Sequence, residues 1–411
     1  MSTSAEAEAT RTRTQVCVAG GGPAGFALAL ALLREGVAVT VVERATMKER
    51  KFRGEILQPG GQAVLAGLGV LEDAKALGHC ATPRFTVVDR GRTILDIDYR
   101  RLPPPHDHLL SLPQLHMLKT LYERCSALPG FTYLEGYRVS ELSGTTVTVR
   151  GRAGNHVVEA DCVVGADGRY SKVRKLVGIP DGREDVFDQD VLWCKLHAPG
   201  RPVGTVSVHQ AARRPVLIYD AHPDTVQIGW MLPHGGYADV LEAGVDRVID
   251  QLADGLPQYA DLIREQVRGP RDFTLLDVFA GCAPRWCADG VVLIGDAAHT
   301  HSPLGAQGIN LALQDALALA PVLVEAVRTN DFSAAALSEY ERVRRPAVAS
   351  IMRFQKRQSR GMLSRGRVAT AMRPAIAGLI SHTPLAAKLT RLVAYGKVAP
   401  PSGAPAGKGG S

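Results

Sequence analysis

The chain has 411 residues, enough for a large core and roughly two to three domain-sized units. Apolar residues make up 45% and charged residues 22%, an ordinary globular balance, and 48 basic against 41 acidic side chains give a formal charge of +7. Aromatics are only 5% and no Lys/Arg run is interleaved with them, so the basic excess does not point to nucleic acid; anionic small molecules account for it as well.

Met1–Gln15 is rich in Ser, Thr, Ala, Glu and Arg and lacks an apolar core segment, so it does not read as a secretory signal. The longest strongly apolar stretch is read as Phe26–Leu33, far shorter than a bilayer span, so stable membrane insertion is not expected. Seven cysteines without paired spacing suggest reduced thiols and a cytoplasmic protein, and Cys282 and Cys287 read as packed thiols, not a metal loop.

Thr14–Gly20 reads as a strand entering Gly20-Gly21-Gly22-Pro23-Ala24-Gly25, followed by a helical run, Phe26–Arg34, and a second strand, Val37–Glu43. In such a βαβ unit the first glycine permits the turn, the second lets backbone approach a pyrophosphate, and the third lets helix and strand pack closely. Glu43 ends the second strand, where a carboxylate can accept both hydroxyls of an adenosine ribose. The unit implies a dinucleotide without separating NAD from FAD. A basic segment follows (Arg44, Lys48, Arg50, Lys51, Arg53), in which Arg53 before Gly54 is placed to grip pyrophosphate bidentately.

Gln62–Leu68 reads as a helix, and Ala81–Tyr99 alternates like a β-hairpin. Leu102-Pro-Pro-Pro-His marks a domain crossing. Leu112–Ser126 is helical; Phe131–Leu134, Arg138–Leu142, Thr145–Arg150 and Asp161–Ala166 are strands, the last ending on Asp167-Gly168. Val191–His197, Gly204–His209, Pro215–Asp220 and Thr225–Leu232 form most of a second sheet, with a helix from Gly244 to Leu252. Helices Asn310–Thr329 and Ser333–Met352 follow, then a cationic helical stretch, Gln355–Tyr395, and a Pro/Gly/Ala/Ser tail, Ala399–Ser411, expected to be disordered.

The stretch Val291–Asn310 organises the rest. Four β-favouring residues run into Gly295-Asp296, a loop carries Pro303 and Gly305, and a long apolar helix opens near Gln307-Gly308-Ile309-Asn310. A carboxylate ending a strand can hold a polyol, and a helix start can hold developing negative charge. The ribityl-isoalloxazine half of FAD carries both.

Gly20–Gly25 with Glu43, Asp167-Gly168, and Gly295-Asp296 through Asn310 together resemble the signature set of the p-hydroxybenzoate hydroxylase family, the class A flavin monooxygenases. The resemblance covers about residues 14–355. It implies an α/β fold, with a Rossmann-type FAD-binding domain (1–80, 102–180, 279–355) interleaved with a mainly β-sheet substrate domain (81–101, 181–278). Residues 356–411 would be a C-terminal helical segment and flexible tail. On this resemblance Gly20, Gly22, Ala24, Gly25, Glu43, Arg44, Arg53, Gln114, Asp167, Asp296, Gly308, Ile309 and Asn310 belong to the FAD site. Asp296 would bond the ribityl chain, and the backbone of Gly308, Ile309 and Asn310 would meet the pyrimidine edge. Asp167 would brace the site, and Pro303 would line the reaction cavity.

The resemblance further implies NAD(P)H as co-substrate, with the basic run Arg44–Lys51 favouring NADPH, and hydroxylation of an aromatic or polyketide-like small molecule through a flavin C4a-hydroperoxide. A related reductase, oxidase or halogenase is the alternative. His209, Tyr219, His222 and His234 are candidate bases, Trp193 and Trp230 a candidate aromatic wall, and His299 and His301 flank the flavin loop. The expected assembly is a monomer or homodimer, with surface association through Arg353–Lys397 open.

Overall fold

The computed structural model describes residues 10–49, 55–89, 91–152, 154–185, 189–210, 214–242, 244–363 and 384–396. The β-branched run through Val16 and Val18 becomes the strand Thr10–Ala19, parallel to Val39–Glu43 on one side and to Gly154–Gly165 on the other. Val16–Ala19 are wholly buried, as expected where a parallel strand is covered on both faces. Phe131–Glu135 extends the sheet beyond Val39–Glu43, and Val291–Leu293 lies parallel to Gly154–Gly165 on the other flank. Antiparallel strands Cys287–Ala288, Thr146–Gly151 and Arg138–Ser143 complete an eight-stranded sheet.

Helices Pro23–Arg34, Gln114–Ser126 and Gly308–Thr329 pack together beside this sheet. Gly308–Thr329 is long and apolar enough to suit a bilayer, so Phe26–Leu33 is not the extreme case that the sequence suggested. Yet it packs against Pro23–Arg34, Pro59–Gly67 and Ala334–Leu363, with Asn310 and Asp315 fully buried, as a core helix does.

The second sheet has seven strands: Thr274–Leu276, Gln189–His197, Thr225–Pro233, Pro215–Ala221, Val206–Gln210, Arg84–Asp89 and Arg92–Asp98. The expected Ala81–Tyr99 hairpin joins it through a parallel pairing of Arg84–Asp89 with Val206–Gln210. Alternation along each strand divides its side chains between two faces. Leu192, Cys194 and Leu196 pack toward helices Val245–Gly255 and Ala260–Gln266, whereas Val191, Trp193, Tyr219 and Met231 join the core shared with the first layer.

Some boundaries differ from the sequence reading. Leu109–Ser111 is a strand in a small sheet with Ile56–Leu57 and Cys80–Thr82, so the helix begins at Gln114. The helix read as Ser333–Met352 runs Ala334–Leu363, because the cationic composition after Met352 is that of a helix face and not of a stop. Pro384–Tyr395 is helical, and the expected tail lies outside the described residues. All seven cysteines are free.

Candidate functional site

The first glycine turn sits where the central strand gives way to its helix. Gly20 has φ +116°, and a Cβ there would lie 2.3 Å from the Ala166 carbonyl oxygen, so the turn passes hard against the end of the neighbouring strand. At Gly25 a Cβ would stand 1.9 Å from the Gly20 oxygen, so only glycine lets helix and strand approach this closely. Gly22 is the opposite case: a Cβ there meets nothing within 4 Å. The open side of the turn is therefore at Gly22, which is also the N-cap of Pro23–Arg34. That helix start has no side-chain cap and no acid in its first turn, leaving its N–H groups available to an anion.

Glu43 ends the adjacent strand, accepting hydrogen bonds from the Gly21 N–H (Oε2, 2.9 Å) and the Ala45 N–H (Oε1, 2.9 Å). These two bonds fix the direction of its carboxylate at the end of the strand. Ala24 is buried behind the turn and Arg44 is exposed beside it. Arg53 lies outside the described residues.

The second half of the site is the turn Gly295–Ala297 facing the start of Gly308–Thr329. Asp296 keeps about a third of its side chain exposed (32%), with Arg169 Nε at 4.0 Å. A Cβ on Gly308 would lie 4.0 Å from Asp296 Oδ1, so this carboxylate looks onto the helix start. The helix again has no side-chain cap and no acid in its first turn.

Between the two runs the loop of Pro303, Gly305 and Ala306. Gly305 and Ala306 are both left-handed (φ +76° and +51°), a conformation that costs energy at the non-glycine and needs outside support. Gln58 supplies it: its Nε2 donates to the Gly305 oxygen at 2.9 Å, and its backbone N–H donates to Asn310 Oδ1 at 2.9 Å. Asn310 Nδ2 donates to the Ala306 oxygen at 2.6 Å, so the buried Asn310 side chain ties the loop down and only its backbone remains to meet a ligand. Gln307 Nε2 donates to the Gly305 oxygen (2.9 Å) and to the Val393 oxygen (2.8 Å), bringing the C-terminal helix onto the loop. Pro303, Gly308 and Ile309 are half-buried on its accessible side.

Beneath the loop lies a buried polar chain. Asp315 Oδ1 accepts from Arg344 Nε at 2.7 Å, and Asp315 Oδ2 accepts from the Gly295 N–H at 3.0 Å and lies 2.7 Å from His299 Nε2. His299 Nδ1 is 3.0 Å from His301 Nε2. Burial opposes ionisation of Asp315, but His299 and Arg344 win, holding its pKa down at about 2. His301 is held neutral, its pKa pushed down to about 3, first by burial and then by the charge of His299. The two histidines lie beneath the loop, with the Trp286 ring tilted against His299 at 4.9 Å between centroids.

Asp167 turns its carboxylate to the protein. Its oxygens accept from Ser171 Oγ (2.5 Å) and from the N–H groups of Lys172 (2.6 Å) and Val173 (3.1 Å), capping Lys172–Leu176. Gln114 opens its helix, two residues after Leu112, whose N–H donates to the Glu55 oxygen at 2.9 Å.

Of the candidate bases, Tyr219 faces the first layer, whereas His209 pairs with Val216 on the opposite face. His222 packs on Gly78 and His116. His234 Nδ1 lies 3.1 Å from Asp190 Oδ1, a carboxylate that also accepts from the Gly235 and Val278 N–H groups. Trp193 and Trp230 do not form one wall: Trp193 faces the first layer and Trp230 the helices behind the sheet. Sequence reasoning missed Gln58, Glu55, Lys195, Asp315 and Arg344. Gln58 alone had a local signal, a polar residue just before the helix-opening Pro59-Gly60.

The residues present fit FAD. The pyrophosphate side of the glycine turn is open at Gly22, both helix starts are uncapped, and an accessible carboxylate faces the second of them.

Comparison with known proteins agrees with this geometry. The FAD binding domain family matches residues 13–355. The 6-methylpretetramide 4-monooxygenase of Streptomyces rimosus is 53% identical over 370 residues, covering 89% of this chain and 88% of that protein. The phenazine 1,6-dicarboxylic acid hydroxylase of Lysobacter antibioticus is 31% identical over 354 residues, covering 79% and 85%. Among solved structures, p-nitrophenol 4-monooxygenase of Pseudomonas putida shares the fold, with a TM-score of 0.79 at 20% identity over 95% of this chain and 100% of that one. The FAD binding domain match over residues 13–355 and a 53%-identical monooxygenase aligned over most of both chains place this chain, with its glycine turn and helix-start loop, in the class A FAD-dependent monooxygenases, the p-hydroxybenzoate hydroxylase family.

Proposed function

We propose that this monooxygenase hydroxylates a fused-ring aromatic polyketide, consuming O₂ and NAD(P)H. The observation that carries the substrate class is the 53% identity to a 6-methylpretetramide 4-monooxygenase across most of both chains. The sheet face turned toward the FAD layer is in keeping with it, since Val191, Trp193, Tyr219 and Met231, buried against that layer, give it an apolar and aromatic part.

In this reading residues 1–80, 102–180 and 279–355 hold the cofactor, and residues 81–101 and 181–278 cover the substrate. Gly20, Gly22, Ala24 and Gly25 shape the pyrophosphate turn, with Arg53 alongside, and Glu43 takes the adenosine ribose, beside Arg44. Asp296 takes the ribityl chain, the backbone of Gly308, Ile309 and Asn310 takes the flavin's pyrimidine edge, and Asp167 and Gln114 border the site. Bound FAD supplies an electrophilic oxygen after reduction and reaction with O₂. The chain's own residues orient the substrate and keep water out: Pro303 stiffens the cavity-lining loop, while Gln58, Asn310 and Gln307 hold that loop still. The basic residues after Glu43 favour NADPH, and the protein works in the cytoplasm as a monomer or homodimer.

The test is an ¹⁸O₂ incubation with NADPH or NADH and a panel of fused-ring phenols, read by mass spectrometry. One ¹⁸O atom in the product and substrate-stimulated NAD(P)H oxidation are expected; O₂-independent turnover would replace a hydroxylase with a reductase.

A further inference from the structure

The seam between the seven-stranded sheet and the FAD layer holds a polar cluster that the cofactor does not account for. Lys195, Gln227 and Tyr219 lie in one row across three strands, since Lys195 pairs with Gln227 and Gln227 with Tyr219 in register. Directly opposed residues of antiparallel strands share a face, and Tyr219 places this row on the face toward the first layer. Glu55 crosses from that layer to meet it. Its Oε1 accepts from Lys195 Nζ at 2.9 Å, and its backbone holds the Tyr219 hydroxyl.

Two acceptors in the cluster are left over. Among the described residues, Glu55 Oε2 is buried without a hydrogen-bond partner on a residue only 5% exposed, and Gln227 Oε1 is likewise without one on a residue 0% exposed. An orphaned buried acceptor costs free energy, and a carboxylate oxygen more than most, so these two call for a ligand that brings donors. A cavity of about 270 Å³ reaches this row from the edge of the sheet, lined by Trp193, Lys195, Gln227, Gln266, Asp272 and Thr274. Three residues along the chain from Glu55 stands Gln58, which grips the flavin loop, so the cluster and that loop are joined by one short, buried strand.

We propose that Glu55 and Lys195 are the polar anchor of the substrate. Glu55 Oε2 accepts the O–H of a phenol or enol, and Lys195 donates to the carbonyl oxygen next to it. The ligand class is a hydroxylated aromatic ketone whose O–H and C=O lie on one edge of the ring system, with Gln227 Oε1 receiving a further hydroxyl. A hydrogen bond from the phenol to a carboxylate also pushes electron density into the ring, which helps an electrophilic oxygen attack it. This inference rests on the proposed substrate class.

The test uses the FAD-loaded enzyme and calorimetric titration with 1,3,8-trihydroxy-6-methylanthraquinone and its tri-O-methyl ether. Wild type is expected to favour the phenol over the ether. Glu55→Gln replaces an acceptor by an isosteric donor, so phenol affinity should fall about tenfold or more while ether affinity holds or rises. Lys195→Arg should retain binding and Lys195→Met should lose it, with unchanged FAD content showing that each variant is folded. A phenol-to-ether ratio that is the same in wild type and Glu55→Gln overturns the anchor. Hydroxylation by wild type with an unchanged ratio overturns the anchor alone; a shifted ratio without ¹⁸O incorporation supports the anchor and removes the proposed activity.

Discussion

Replacing Asp315 by Asn tests the buried chain beneath the flavin loop. Asp315 is fully buried, and Arg344, only 2% exposed, relies on it for charge compensation at 2.7 Å. The same carboxylate holds the Gly295 N–H and sits against His299, so one substitution loosens three groups. Removing one partner of a buried ion pair and leaving the other charged costs about 3–5 kcal/mol. Against a usual folding free energy of about 5–15 kcal/mol that is a large fraction. The measurement is urea unfolding of the apoprotein by circular dichroism, alongside FAD titration. Asp315→Asn should lower the midpoint steeply and weaken FAD binding, because Gly295 precedes Asp296. The double variant Asp315→Asn with Arg344→Met removes the stranded cation and should recover a good part of the loss. A single variant within about 1 kcal/mol of wild type, or a double variant no better than the single, would refute the claim that Asp315 neutralises Arg344.

Three further outcomes follow from the geometry. Gly25→Ala forces a Cβ onto the Gly20 oxygen and should destabilise the fold by about 1–3 kcal/mol or more, whereas Gly22→Val, which meets nothing in the protein, should leave apoprotein stability nearly unchanged and abolish FAD uptake; equal stability losses would contradict the assignment of Gly22 to the open side. Asp296→Ala should purify colourless with an intact urea midpoint, since its side chain is partly exposed and its ion contact with Arg169 is long at 4.0 Å; a fully flavinylated variant would remove it from the ribityl role. His301, with its folded pKa near 3, takes up its proton in the unfolded chain first, so stability should fall as pH drops from about 6.5 toward 3, by roughly 1.4 kcal/mol per pH unit at most. His301→Asn should flatten the pH dependence of the urea midpoint in that window by one proton's worth, and an unchanged slope would show that His301 is not buried neutral.

The elements that carry local chemistry were legible in the chain. Gly20, Gly22 and Gly25 differ in what surrounds them, but their spacing already required a tight turn between strand and helix. Gly295-Asp296 after four β-favouring residues already required a carboxylate at a strand end. Periodicity gave the second sheet and its hairpin, since alternation survives in sequence whatever the partner strand. Bounds were less legible where composition is ambiguous, as at Leu109–Ser111, a strand too short to show a period.

Facing and long-range pairing are a different kind of information. Whether Trp193 and Trp230 share a wall depends on which face each strand turns inward, and one residue of register reverses that. Asp315 with Arg344, Gln58 with Gly305, and Glu55 with Lys195 are separated by 29, 247 and 140 positions, and nothing in the neighbourhood of either partner announces the other. The amino-acid sequence determined the cofactor turns, because backbone conformation answers to the residues next to it. Tertiary structure decided which buried charges are matched and which buried acceptors lack a partner among the described residues, because desolvation is set by what the whole fold brings together.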